Sequence, residues 1–138
     1  MIAEKFITSF SGVLGFISYF GVSALLTVLF SIIYTRITPY KEFDLISNGN
    51  VAASYSFGGA LIGFVIPLAS AVTHSVGLLD MIVWGVIALI VQILVFFVVK
   101  KIFPAVISDI PANQVSKGIF LGVVSIATGI INAACMTY

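Results

Sequence analysis

Four stretches of this chain, 11–35, 51–73, 81–99 and 118–138, contain no Asp, Glu, Lys or Arg. Each reaches about the 20 residues that a helix needs to cross roughly 30 Å of hydrocarbon. Lipid offers backbone amides no hydrogen-bond partner, so spanning segments must satisfy their own backbone, and helices do this. The runs are continuously apolar and lack the strict alternation of a membrane β-barrel. Composition agrees: 61% of residues are hydrophobic and 8% charged, where a soluble domain carries about a quarter. The first partner of such a chain is the lipid bilayer. A net charge of +1 with no basic run excludes nucleic acid. The single cysteine forms no internal disulfide.

The opening MIAEKF has Lys5 beside Glu4. The apolar sequence that follows is longer than a signal-peptide core and lacks a small-x-small cleavage site, so it reads as a retained helix. Two polar connections, 36–50 and 100–117, hold Arg36, Lys41, Lys100, Lys101 and Lys117; the other side has only Lys5. Positive residues favour the cytoplasmic face. Both long loops are therefore expected inside the cell and both termini outside, in one fixed orientation. In the first loop, Thr38-Pro39 reads as an N-cap and first helical residue, and Asn48-Gly49 as a stop. Tyr40, Phe43 and Ile46 would share one face of a short interfacial helix. The acidic residues of this helix, Glu42 and Asp44, read as solvated surface.

Shifting the chain by 64 residues aligns YFGVSALL (19–26) with VWGVIALI (83–90), Val51 with Val115, Gly58 with Gly122 and Ala69 with Ala133. One further residue aligns Pro39 with Pro104 and Asp44 with Asp109. Each unit is helix, basic loop with proline, helix. Two spans return the chain to its starting side, so the copies are parallel. The expected fold is an all-α membrane protein of four transmembrane helices. They form two parallel helix-loop-helix repeats, 1–78 and 79–138, with short interfacial helices in the cytoplasmic loops. The second helix of each unit is rich in small residues: Gly59 and Gly63 in one, Gly118, Gly122 and Gly129 in the other. Such residues let helix backbones approach closely in lipid, and they are read as packing positions. In the first helix a fourfold ribbon runs through Gly15, Tyr19, Ser23, Thr27, Ser31 and Thr35, read as helix contact.

No span carries an ionisable residue in its middle, which argues against proton-coupled carriers and voltage sensors. Small multidrug exporters, similar in size, depend on a membrane-embedded Glu that is missing here, and no fluoride-channel motif is present. The polar groups inside the spans are amides, Gln92 and Asn132. A buried amide left unpaired costs roughly 2–7 kcal/mol. Either an interhelical hydrogen bond or a polar pathway or headgroup site would satisfy them. Pro67 frees the carbonyl one turn earlier, near Gly63, with Ser70 and Thr128 nearby as further candidates for the same polar site. His74 and Asp80 make too poor a ligand set for a metal, and no cofactor is implied. No nucleophile–base pair is present, so an enzyme is not expected. Cys135 stands four from the end of the sequence, but Thr137 and Tyr138 fit a prenylation motif badly; it is read as a small packing residue.

The segments ITP (37–39), NVAAS (50–54), IPL (66–68) and NAACMT (132–137), within the longer stretches 37–71, 84–92 and 118–138, resemble the YjfL-type bacterial inner-membrane family. The resemblance implies a bacterial inner-membrane protein with paired two-span units. It brings no established activity and no catalytic residues, and it places relatives near genes for phage-shock-type membrane-stress proteins and for polyamine- or peptide-ligating enzymes. Two functions follow as expectations. The first is a homo-oligomeric, non-enzymatic component for permeation or sensing of a small solute or lipid, using Asn132, Gln92, Pro67, Ser70 and Thr128. The second is a structural adaptor of a membrane-stress system that docks a cytoplasmic partner through Lys41, Glu42 and Asp44.

Overall fold

In the computed structural model, which describes residues 1–138, the chain is all-helical with no strand. Six helices follow in order: α1 (Ile2–Ile37), α2 (Glu42–Ser47), α3 (Val51–His74), α4 (Leu78–Ile102), α5 (Val106–Asp109) and α6 (Val115–Cys135). Of these, α1, α3, α4 and α6 are long and apolar enough to cross a membrane.

Helix α1 starts well before the charge-free run does. Its 36 residues span about 54 Å at ~1.5 Å per residue. Glu4 suits the positive end of the helix dipole, and the hydroxyls of Thr8, Ser11 and Ser18 donate back to carbonyls three or four residues earlier. The span expected from residue 11 therefore falls short of the start of the helix at Ile2. Only the second half of α1 enters the bundle, through Leu26, Phe30 and Tyr34, one helical turn apart and all buried. Phe30 stacks on Phe64 of α3 at 4.5 Å between ring centres, and the Tyr34 ring meets Phe57 of α3 and Phe96 of α4. Near the opposite end, Ser23 reaches the Met81 sulfur at 3.8 Å and Tyr19 shares a groove with Val72. The residues before Gly15 project past the α3–α4 turn and are exposed all round.

The centre of the molecule is the pair α3 and α6, which run parallel. A side chain at Gly118 would land on the backbone of Ala52, one at Gly59 on Gly122, one at Gly122 on Tyr55, one at Gly63 on Ser125, and one at Gly129 on Gly63. Five glycines thus permit backbone-to-backbone packing along the crossing, where dispersion and Cα–H···O contacts replace side-chain interdigitation. Helix α4 covers this pair, with Gly85 against the Leu26 and Leu68 side chains.

Two loops close one end of the bundle and are tied to each other. The Asn50 side chain caps α3 by accepting from the Ala53 amide at 2.7 Å, and donates to the carbonyls of Ile110 and Pro111 at 3.0 and 3.2 Å. Asn113, in the left-handed region at φ 60°, accepts from the Val51 and Ala52 amides. Three of the four orphan donors at the start of α3 are satisfied this way. The loop before them departs from expectation. Thr38 ends α1 rather than capping α2, which starts at Glu42 behind Lys41. The later start rotates the short helix, so Glu42 faces inward with Leu45 and Ile46 half-buried, while Phe43 is 54% exposed. Met136 is buried, whereas Cys135 faces outward instead of packing, because the bundle side of α6 is taken by its glycines.

Candidate functional site

The amides lie along the glycine crossing. Gln92 has no exposed surface and projects from α4 between the parallel helices, donating through Nε2 to the Ser125 carbonyl at 3.0 Å; its Oε1 is buried without a partner. Its Nε2 also borders Gly63, whose carbonyl loses its helical donor to Pro67 and points into the space that Gly129 leaves by lacking a side chain. Gln92, Gly63, Ser125 and Gly129 therefore form one polar centre from three helices, with Pro67 fully buried a turn farther along α3. Asn132, half-buried and nearly a turn beyond Gly129, keeps a buried Nδ2 without a partner.

The remaining candidates separate. Ser70 accepts from the Tyr138 hydroxyl at 3.2 Å, at the end where Tyr138 also packs against His74 and Trp84. Thr128 donates back to Val124 at 2.8 Å and lines an outer α4–α6 groove with Val91, Leu94 and Val98. Thr27, Ser31 and Thr35 each donate back within α1. A larger apolar groove of about 670 Å³ separates α1 from α3, lined by Phe20, Ser23, Thr27, Val65 and Val72 among others. In the first loop Lys41 and Asp44 are exposed, but Glu42 is 1% exposed, which corrects its reading as solvated surface.

Glu42 belongs to a polar cluster that the sequence did not reveal. Thr38 from the end of α1 meets its Oε1, while Oε2 is buried without a partner. Tyr34, 2% exposed with its hydroxyl unpartnered, and Tyr40 complete the cluster, with Ser56 of α3 beside Tyr40. Burial raises the Glu42 carboxyl to about 7, against the opposing pull of the Thr38 hydroxyl and its own backbone amide. Burial, with Glu42 nearby, also raises the Tyr40 phenol. The signal available in sequence was the aromatic pair Tyr34 and Tyr40 flanking a helix end; the inward turn of Glu42 required the real start of α2.

A family model described as Domain of Unknown Function (DUF350) matches residues 7–136. This chain is a DUF350 protein. It is 44% identical over 125 residues to the UPF0719 inner membrane protein YjfL of Escherichia coli (strain K12), covering 91% of this chain and 95% of the relative. It is 26% identical over 119 residues to the UPF0719 transmembrane protein YshE of Bacillus subtilis (strain 168), covering 85% and 89%. No solved structure matches. The DUF350 match takes in the glycine crossing, the amide centre and the Glu42 cluster.

Proposed function

We propose that this DUF350 protein is a non-enzymatic, multipass component of a bacterial inner membrane that assembles with copies of itself and handles a small solute or lipid between them. The observation that carries this reading is the closed centre of the bundle. Glycine-to-backbone packing between α3 and α6 leaves little room for a path through one copy, whereas α1 presents an uncovered apolar surface. Phe6, Phe10, Phe16 and Phe20 are each more than half exposed, and the part of α1 before Gly15 reaches beyond the bundle. A helix of that length exceeds roughly 30 Å of hydrocarbon, and a second copy is a natural cover for the excess. The α1–α3 groove, with Ser23 and Thr27 among apolar walls, is the surface offered to a lipid or solute, while Gln92 stays sealed inside the bundle.

The internal repeat is part of the same reading. Each half runs long helix, short helix, long helix; α3 and α6 start 64 residues apart and run parallel, and α1 and α4 end 65 apart. Orientation follows from the basic residues, which the Asn50–Asn113 clamp gathers at one end, with both termini periplasmic. A second reading, docking of a soluble partner, is favoured by that clamp, which joins the two loops into one surface displaying Lys41 and Asp44. Single cysteines along α1 in a Cys135→Ser background test assembly. Membranes oxidised with cysteine at Phe16 or Phe20 should yield dimers, while cysteine at buried Phe30 should not. Monomers at every exposed α1 position would overturn assembly through this helix.

A further inference from the structure

The Glu42 cluster lies beneath the loop surface that displays Lys41 and Asp44, and its hydrogen bonds do not balance with an ionised carboxylate. The Thr38 hydroxyl has one proton and three acceptors around it: the Thr35 carbonyl at 3.3 Å, the Tyr40 carbonyl at 3.3 Å, and Glu42 Oε1. If Glu42 is ionised, Thr38 must donate to it and leave both carbonyls without that proton. If Glu42 is protonated, its O–H donates to Thr38, and Thr38 passes its own proton to a carbonyl. One added proton completes the chain of donors. The carboxyl also has no countercharge. The ion pairs of the chain, Met1–Glu4 and Lys117–Asp109, lie elsewhere, and a buried carboxylate oxygen without a partner strongly favours the neutral form.

The surroundings contain no competing base. Helix α1 contributes Tyr34, the α1–α2 connection contributes Tyr40, and α3 contributes Ser56 and the Phe57 ring. Arg36 and Lys41 flank the corner in sequence but are exposed. None of the principal surface cavities is lined by the cluster, and Glu42 belongs to no group of three or more His, Cys, Asp or Glu side chains that could hold a metal ion.

We propose that Glu42, with Thr38, Tyr34 and Tyr40, is a proton-binding site that holds the α1–α2–α3 corner closed while occupied and loosens it when empty. The balance is a single proton exchanged between the carboxyl and water, with no other bond changed. The folded carboxyl titrates near 7, above the 4.5 of an ordinary Glu. Closure is therefore strongest below about pH 4.5 and weakens as pH rises towards 7, levelling off above it. Through Asn50 the corner is joined to the second loop, so the loosening reaches the surface carrying Lys41 and Asp44.

Only Glu4 and Glu42 are glutamates in this chain, so side-chain carboxyl ¹³C labelling of glutamate yields two resonances in full-length protein reconstituted in nanodiscs. One should titrate near pH 7 and vanish in Glu42→Gln. Amide exchange over 41–49, corrected for intrinsic rates, should quicken roughly tenfold per pH unit between about pH 5 and pH 7, and Glu42→Gln should remove this extra dependence. Two resonances that both titrate below pH 5 in the unmodified protein would overturn the proposal whether or not the variant folds. Exchange with an unchanged pH dependence in a folded Glu42→Gln protein would overturn the coupling to the corner.

Discussion

At the scale of single residues, neighbouring glycines have opposite roles. Gly58 and Gly59 adjoin on α3, yet a methyl group at Gly58 meets open space while one at Gly59 strikes the Gly122 backbone. Gly122→Ala should accordingly destabilise the protein by about 1–3 kcal/mol, the usual cost of overpacking a rigid contact. Gly58→Ala should be neutral or stabilising by up to about 1 kcal/mol, because alanine restricts the unfolded chain. Thermal unfolding of both variants in the same detergent, followed by circular dichroism, reads the difference; equal midpoints would refute the backbone contact. The sequence singled out Gly59 and Gly63 as packing positions, but only the structure shows which backbone each of them meets. Glu42 makes the same point for polarity: a charged residue in a loop sequence gives no sign that a hydroxyl, two phenols and a short helix will enclose it.

At the scale of elements, the two loops that carry the short helices are tied together by amide side chains reaching between them. Asn113 satisfies the first two amides of α3 from more than sixty residues away, and Asn50 returns the contact to Ile110 and Pro111. Asn113→Ala should therefore cost about 1 kcal/mol, the typical value of a lost N-terminal cap. Hydrogen exchange should accelerate at Val51 and Ala52 and stay unchanged at the middle of α3. Uniform acceleration along α3 would mean that the clamp supports the whole bundle rather than one helix end. The second span, expected over 51–73, is observed as Val51–His74, because Asn50 is a recognisable cap and Ser75 an extended stop. The first, expected from 11, starts at Ile2. Nothing between Ile2 and Phe10 breaks a helix, and hydropathy reports what touches lipid rather than where helical hydrogen bonding begins.

At the scale of the whole molecule, parallel α3 and α6 form the sealed centre, α4 covers it, and α1 leans on it by half its length. Gathering Arg36, Lys41, Lys100, Lys101 and Lys117 at the looped end gives the molecule one electrically distinct face. A reporter active only in the periplasm, fused after Tyr138, should be active, and the same reporter inserted after Asn48 should be silent. The reverse pattern would invert the orientation.

The number of spans, their helical form and the close-packing glycines were determined by the sequence itself. Each depends on local properties: unbroken hydrophobicity, the absence of in-membrane charge, and residues too small to hold helices apart. Tertiary structure alone decided that α3 and α6 meet backbone to backbone at the centre, that Gln92 inserts between them, that Ser70 and Thr128 lie apart from that centre, and that Glu42 turns inward. Those outcomes depend on which faces meet after the loops fold, and a one-dimensional pattern of apolar residues in lipid, where nearly every face is apolar, does not specify the meeting.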